Sequence, residues 1–184
     1  MRADAQANRD RLLAVAGVVL LEQGVDASMR DIARRAEVGL ATLLRHFPTR
    51  EALLEALLRT AFDELTARAV EAENTSSPRD ALVGWMREFV VFTTGSHGVV
   101  TSMVKAIEEP ESALHASCVA MRAAGARLLT RAQAADVART DVDGADLFAL
   151  VSAFAWLGDQ PGQGERATRL FDVVLGAVLT DRAL

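Results

Sequence analysis

Apolar residues recur at helical spacing along most of this chain, and no segment alternates apolar and polar residues with the period of two that indicates a strand. The first helix is predicted from Asn8 to Gln23, with Leu12 and Ala16 on its apolar face and Gly24 as its C-cap. Residues 1–6 are polar and are expected to fray. The whole pattern predicts an all-α fold of about nine helices.

Two short helical patterns joined by a tight turn occupy residues 28 to 47. Ser28 is a favourable N-cap for the first of them, and Gly39 can supply the backbone conformation that the turn needs. Leu43 and Phe47 lie four residues apart on the buried face of the second, which Pro48 ends. This arrangement is a helix-turn-helix, in which the second helix enters the DNA major groove.

A long fourth helix is predicted from its cap Thr49 to about Glu73, without a glycine or proline to interrupt it. It is long enough to join residues 1–50, the three-helix domain that carries the helix-turn-helix, to residues 51–184, a second domain that is a helical bundle. The fifth helix is predicted from Pro78, with Ser77 as its N-cap, to about Thr94, and the sixth from Val99 to Glu108 after a break at Gly95–Gly98. The seventh is predicted from Glu111 to about Ala135, and the eighth from Leu147 to Leu157 after the N-cap Asp143. A flexible loop at residues 158–164 precedes the ninth helix, which is predicted from Glu165 to Thr180.

The composition is ordinary for a soluble globular protein, with 51% hydrophobic and 24% charged residues. Charge is uneven, since residues 1–50 carry a net charge of +2 and residues 51–184 carry −7. A mildly basic head on an acidic body fits a head that contacts nucleic acid. A random scatter of charges explains so small a difference equally well.

Chemistry other than binding has little support in the sequence. There is no HExxH, cysteine pair, P-loop or GxGxxG motif, so neither an enzyme nor a metal or cofactor site is predicted. The single cysteine, Cys118, lies on an apolar helix face and is predicted to be a core residue in a reducing compartment. The polar start and the lack of an apolar run of about 18 residues predict no signal peptide, no membrane span and a cytoplasmic location.

Residues 10 to 57 resemble the DNA-binding domain of the TetR family of bacterial transcriptional regulators. The matching residues are Ile32, Ala33, Ala36, Val38, Thr42, Leu43, Arg45, His46, Phe47 and the run from Arg50 to Leu54. The family usually has Ser, Gly and Tyr where this chain has Gly39, Ala41 and Leu44. The usual tyrosine donates a hydrogen bond to a DNA phosphate, which Leu44 cannot do.

The predicted DNA-contacting residues lie off the buried face of the recognition helix or at family positions near it. Arg45 can bond guanine O6 and N7 in bidentate fashion, and Ser28 can help present backbone N–H groups to a phosphate. The resemblance implies a base contact for Arg30, base or phosphate contacts for Thr42 and His46, and a phosphate nearby for Arg50. The full set is Ser28, Arg30, Gly39, Leu40, Thr42, Leu44, Arg45, His46 and Arg50. Each arginine alone is equally consistent with a solvated surface charge.

Two further groups of residues are predicted in the second domain. A small apolar effector is predicted to bind among Trp85, Phe89, Thr93, His97, Met103, Met121 and Trp156, which combine apolar bulk with polar groups, although for any single one of them ordinary core is the better interpretation. The last two helices carry more apolar surface than one small bundle needs, which predicts a homodimer. Its interface is predicted at Phe148, Val151, Phe154, Leu170, Val174, Leu175 and Val178.

The sequence therefore predicts a homodimeric, sequence-specific regulator that binds a double-stranded DNA operator. The resemblance implies a repressor that a small-molecule effector releases from its operator. The alternative is a helical adaptor or interaction protein whose helix-turn-helix has lost affinity for DNA. Gly39 and Leu44 keep this alternative open, whereas Arg45, His46 and Arg50 argue against it.

Overall fold

The structure is a computed structural model that describes residues 2–24 and 26–180, excluding the side chains of residues 2–6, 95 and 97. Nine α-helices make up most of this part of the chain, which confirms the predicted all-α class. They are α1 (Arg2–Gln23), α2 (Met29–Arg35), α3 (Leu40–His46), α4 (Arg50–Thr75), α5 (Pro78–Ser102), α6 (Val104–Glu108), α7 (Ala113–Ala134), α8 (Gly144–Gly158) and α9 (Gly164–Val178). Extended pairing within these ranges is limited to one isolated antiparallel bridge between Ala138 and Leu179.

The first three helices form a small head around a shared apolar core. Leu12 of α1, Ile32 of α2 and Leu43 of α3 are each at most 1% exposed, as is Phe47 at the end of α3. Burying an apolar side chain of this size contributes roughly 1.5–3 kcal/mol. This packing fixes α3 relative to α1 and α2, so the side chains on the outer face of α3 have a defined position.

The fourth helix connects the head to the other helices as one uninterrupted rod. Its cap is Thr49, as predicted, whose hydroxyl accepts a hydrogen bond from the Ala52 N–H at 3.1 Å. Near its middle, the Leu65 carbonyl accepts a hydrogen bond from the Trp85 indole of α5 at 3.0 Å. Near its end, Glu73 forms an ion pair with Arg127 of α7 at 3.0 Å. A movement of the head can therefore reach the body through α4.

The predicted break at Gly95–Gly98 is wrong, because α5 continues through it to Ser102. A glycine inside a helix costs about 1 kcal/mol relative to alanine. Burial of Val99 and Met103, which are 7% and 6% exposed, offsets that cost. As a result, α6 is only the short segment Val104–Glu108.

Other helix ends differ from the predictions by a few residues. The first helix begins at Arg2 rather than Asn8, because the residues between them include the good helix formers Ala, Gln and Arg. The seventh begins at Ala113, after the N-cap Ser112, rather than at Glu111. The predicted caps Ser77 of α5 and Asp143 of α8 are confirmed, since each side chain accepts hydrogen bonds from the first turn of its helix.

The turn between α2 and α3 differs from the prediction in one residue. Glu37, with φ of 55°, takes the left-handed conformation, whereas Gly39 is extended with φ of −67° and serves as the N-cap of α3. The Val38 N–H donates to the Ala33 carbonyl at 3.0 Å and the Glu37 N–H donates to the Arg34 carbonyl at 3.1 Å. These two bonds are a Schellman motif, whose left-handed position is usually glycine.

Replacing Glu37 with glycine is therefore expected to stabilise the protein. A side chain in the left-handed region costs about 1–2 kcal/mol, which glycine avoids, so Glu37→Gly should raise the melting temperature by about 2–8 °C. Glu37→Ala is the matched control, because it removes the same carboxylate and keeps the Cβ. Equal melting temperatures for the two variants in differential scanning calorimetry would contradict the expectation.

Candidate nucleic-acid interface

The outer face of α3 presents a set of side chains that the head core leaves free. Leu43 points inward at 0% exposure, while Ala41, Leu44 and Arg45 are exposed. Leu40, Thr42 and His46 are half-buried at the margins of this face. The helix thus has one buried side and one open side, as a helix that enters a DNA groove requires.

Two arginines on this side of the head are free to contact DNA. Arg30 of α2 and Arg45 of α3 are exposed, and neither has a hydrogen bond or ion pair within the part of the chain that the structure describes. Unpaired guanidinium groups on an exposed helix can reach base edges or phosphates. Arg30 and Arg45 are therefore the strongest candidates for contact residues.

The neighbouring arginines of α2 have partners inside the protein. Arg34 pairs with Asp31 at 2.7 Å, and Arg35 holds Glu22 of α1 through two nitrogens. The hydrogen bond and the negative charge of Glu22 raise the pKa of Arg35 above its ordinary value. These ion pairs orient α2, and they leave Arg34 and Arg35 less free than Arg30 to bind phosphate.

Ser28 and Arg50 serve the structure of the head. The Ser28 hydroxyl accepts from the Asp31 N–H at 3.1 Å and donates to the Asp31 carboxylate at 2.7 Å, which confirms Ser28 as the N-cap of α2. Arg50 is half-buried, and its Nη1 donates to the Ala27 carbonyl at 2.7 Å. Arg50 thus ties the start of α4 to the connection between α1 and α2, and its predicted position near a phosphate stays a prediction.

The residues predicted to bind an effector are not gathered around one open space. Trp85, Phe89, Met103 and Met121 are at most 6% exposed in the body core. The Trp85 and Phe89 rings lie 5.2 Å apart, and Trp85 packs so closely on Gly125 that a Cβ there would lie 2.3 Å from the indole ring.

The other three residues predicted to bind an effector are Trp156, Thr93 and His97. Trp156 is 55% exposed on the surface, and the Thr93 hydroxyl donates to the Phe89 carbonyl at 2.8 Å. The side chain of His97 lies outside the described residues. Apolar bulk at helical spacing therefore indicated core packing rather than a cavity at these positions.

The residues predicted at the dimer interface divide into two sets. Val151, Leu175 and Val178 are at most 4% exposed and fill the core of a single protomer, which corrects their assignment to an interface. Phe148, Phe154 and Val174 are half-buried. The Phe148 ring lies between the Phe89 ring, with centroids 5.2 Å apart, and the Arg122 guanidinium, 3.9 Å from its centroid. The Phe154 ring packs against that of Phe171, with centroids 5.7 Å apart. Leu170 remains, at 42% exposure.

An apolar face that the sequence prediction assigned only in part lies on the outer side of α8 and α9. It comprises Trp156 at 55%, Leu170 at 42% and Val173 at 68% exposure, with the exposed small residues Ala149, Ala153 and Ala177. The signal was present in α9, where Leu170, Val173 and Ala177 form one stripe and Phe171, Leu175 and Val178 form another. We call Trp156, Leu170 and Val173 the outer apolar face.

Cys118 is packed in the body core at 5% exposure. Burial raises the pKa of its thiol, and the nearby positive charge of Arg122 only partly opposes this. Its thiol therefore stays protonated at neutral pH, which disfavours a nucleophilic role.

In the described part of the chain there is no group of three or more His, Cys, Asp or Glu side chains that could hold a metal ion. The same residues include no helix long and apolar enough to cross a membrane.

The fold and the open face of α3 define an all-α helix-turn-helix protein. A family model for bacterial regulatory proteins of the tetR family matches residues 12–57, and a model for the C-terminal domain of SbtR-like transcriptional regulators matches residues 77–177. The crystal structure of a TetR transcriptional regulator from Streptomyces coelicolor is 34% identical, with a TM-score of 0.76 over 93% of this chain and 98% of that one. The chain belongs to the TetR family of bacterial transcriptional regulators.

Two other relatives agree with this assignment. The TetR transcription regulatory protein from Mycobacterium vanbaalenii is 31% identical, with a TM-score of 0.75 over 97% of this chain and 99% of that one. The HTH-type transcriptional repressor LfrR of Mycolicibacterium smegmatis is 35% identical over 44% of this chain and 43% of its own length. The curated relatives are thus matched over little more than two fifths of their length.

Proposed function

We propose that this chain is a sequence-specific DNA-binding transcriptional regulator of the cytoplasm rather than an enzyme. Residues 1–50 bind DNA through α3, and residues 51–184 bind a ligand and form a dimer. The carrying observation is that Arg30 and Arg45 are exposed and unpaired on a helix-turn-helix whose core holds Leu43 and Phe47 at no more than 1% exposure. Rigid placement of free guanidinium groups is what direct reading of base edges requires.

The regulator is proposed to act as a homodimer joined through the outer apolar face. Trp156 on α8 and Leu170 and Val173 on α9 are exposed apolar side chains on two helices that pack together, and association would remove them from water. Two-fold symmetry is the commonest solution for homo-oligomers, and it matches a palindromic operator. The two recognition helices then lie about one DNA turn, roughly 34–36 Å, or a multiple of it apart.

Control by a small-molecule effector is proposed to follow from the continuous α4. A ligand held in the body shifts the head only if it binds the DNA-incompetent arrangement more tightly. A coupling of about 1–3 kcal/mol weakens operator binding roughly 5–150-fold. The likeness to the repressor LfrR supports repression as the direction of control.

Binding to DNA from the flanks of its own gene tests the proposal against an adaptor role. Fluorescence anisotropy should give an affinity at least a thousandfold higher for the operator-bearing fragment than for a scrambled duplex at one salt concentration. The family's usual tyrosine is Leu44 here, so one hydrogen bond to a phosphate is lost and affinity for both duplexes is expected to be lower, whereas the salt dependence, which follows the cationic contacts, is not expected to change. Equal and weak affinity for both duplexes would reject the proposal in favour of an adaptor.

A further inference from the structure

A small apolar cavity lies where α1 of the head meets α4 and α5. Its volume is about 160 Å³, and its walls include Leu20 of α1, Leu57 and Leu58 of α4, and Phe92 and Val99 of α5. The Phe92 wall is held in place by Phe62, whose ring lies edge-on at 5.7 Å. Of the residues predicted from sequence to bind an effector, none whose side chain the structure describes lines this space.

The cavity exists because small residues face each other across it. Gly17 of α1 and Ala61 of α4 both line the space. A Cβ added at Gly17 would meet its nearest neighbour, the Leu57 side chain, at 3.8 Å, which is ordinary contact. An alanine would therefore fit and would favour the helix by roughly 0.5–1 kcal/mol. Gly17 therefore keeps the cavity open and gives up the helix stability that an alanine would add.

Among the described side chains that line the cavity, Ser96 is the one with a polar group. Its two helical neighbours Thr93 and Thr94 donate their hydroxyls to carbonyls of the preceding turn, at 2.8 Å each. The Ser96 hydroxyl has no such partner among the described residues. An unpaired hydroxyl beside an apolar space supplies one hydrogen bond to whatever occupies that space.

We propose that this cavity binds a small, mostly apolar molecule with one hydrogen-bonding group, of about the size of phenol or indole. A dry apolar cavity of about 150 Å³ holds a benzene ring, so the volume suits one aromatic ring. The apolar walls supply the affinity, and the Ser96 hydroxyl orients the polar end of the ligand.

The position of the cavity gives its ligand a regulatory effect. The occupant contacts α1, which belongs to the head, together with α4 and α5, so it fixes the angle between the head and the body. Operator affinity changes to the extent that DNA needs a different angle. This regulatory step rests on the proposed DNA-binding function, whereas ligand binding does not.

Nuclear magnetic resonance of the full chain carrying methyl-labelled leucine tests the binding step without DNA. Phenol and toluene are the probes, and both should shift the methyl signals of Leu57 and Leu58, which line the cavity in every variant, in a saturable way. Gly17→Leu and Ala61→Leu fill the space from opposite helices, and each should weaken binding of both probes at least tenfold. Gly84→Leu is the matched control, because an added side chain at that exposed position of α5 meets nothing within 4 Å.

Ser96→Ala tests the role of the hydroxyl. It should weaken phenol about threefold to tenfold, the effect of one hydrogen bond, and leave toluene within about twofold. Unchanged affinities in both filled variants would overturn the proposal, and equal loss of phenol and toluene in Ser96→Ala would overturn the assignment of that hydroxyl.

The regulatory step has its own test, in which operator affinity is measured with and without saturating phenol. A change of at least threefold that Gly17→Leu abolishes supports it. Unchanged affinity with phenol bound would overturn the regulatory step alone. Failure of the unliganded protein to bind its operator would reject the proposed function and leave the binding result standing.

Discussion

Val173→Arg is expected to turn the protein into a monomer and to remove most of its operator affinity. Val173 is 68% exposed, the highest value in the outer apolar face, so the protomer itself does not need its side chain for packing. In the proposed interface an arginine would bury a charge without a partner, which costs several kcal/mol. Losing the second recognition helix should lower operator affinity by about a hundredfold or more.

Size-exclusion chromatography with light scattering and fluorescence anisotropy measure the two consequences on the same sample. Val119→Arg is the matched control, since Val119 is 50% exposed on α7 and outside the outer apolar face. That variant should remain dimeric with unchanged affinity. Monomeric Val173→Arg that binds the operator at full strength would show that DNA binding does not need the dimer, and a dimeric variant would place the interface elsewhere.

The adjacent Val174 is a poorer position than Val173 for a charged substitution meant to disrupt only the dimer. It is half-buried, and its neighbour Leu175 is only 4% exposed in the protomer core. A charge at position 174 would disturb folding and association together. The stripe of α9 that contains Val173 and the stripe that contains Leu175 lie next to each other in the sequence. Only the structure therefore shows that the Leu175 stripe packs against the body.

Features set by neighbouring residues could be predicted from the sequence. The N-caps Ser28, Thr49, Ser77 and Asp143 were all predicted correctly, because a cap side chain accepts a hydrogen bond from a backbone N–H only two or three residues ahead. The long α4 was predicted for a similar reason, since it has a cap at its start and no glycine or proline inside.

Features set by packing could not be predicted in the same way. The Gly95–Gly98 segment reads as a break, yet burial of Val99 and Met103 keeps it helical. Glu37 takes the left-handed position of the turn although Gly39 stands two residues away, because the end of α2 and not the start of α3 needs that conformation. In the first case distant contacts outweigh a local preference of about 1 kcal/mol. In the second, the hydrogen bonds that end α2 outweigh the cost of a left-handed side chain.

The candidate sites follow the same division. The open face of α3 could be predicted because helical periodicity separates Arg45 from Leu43 and Phe47. The cavity at Gly17 and Ser96 could not, since empty space depends on which small residues face each other across three helices. Arg50 matches the family pattern, but only the structure shows its guanidinium bonded to the Ala27 carbonyl.

Arg45→Ala is expected to lower operator affinity roughly 5–150-fold for each half-site, the effect of one bidentate contact between arginine and a base. Arg45 is exposed on α3 and has no partner inside the described part of the protein that would hold it away from DNA. If it reads a base, the loss should be concentrated on the cognate operator. Affinity for a scrambled duplex should then change little, and discrimination at one base pair of each half-site should relax.

The salt dependence of binding separates this role from binding to a phosphate. Removing one bond to a phosphate in each half-site would weaken binding to all sequences alike and would lower the slope of log K against log salt by about one per phosphate. Arg34→Ala is the matched control, because it removes the same charge from the same head, but its guanidinium is held by Asp31 at 2.7 Å. That variant should show a small decrease in affinity shared by cognate and scrambled DNA. If Arg45→Ala behaves like Arg34→Ala, Arg45 acts through its charge, and the base reading must come from Arg30 or from Thr42 and His46.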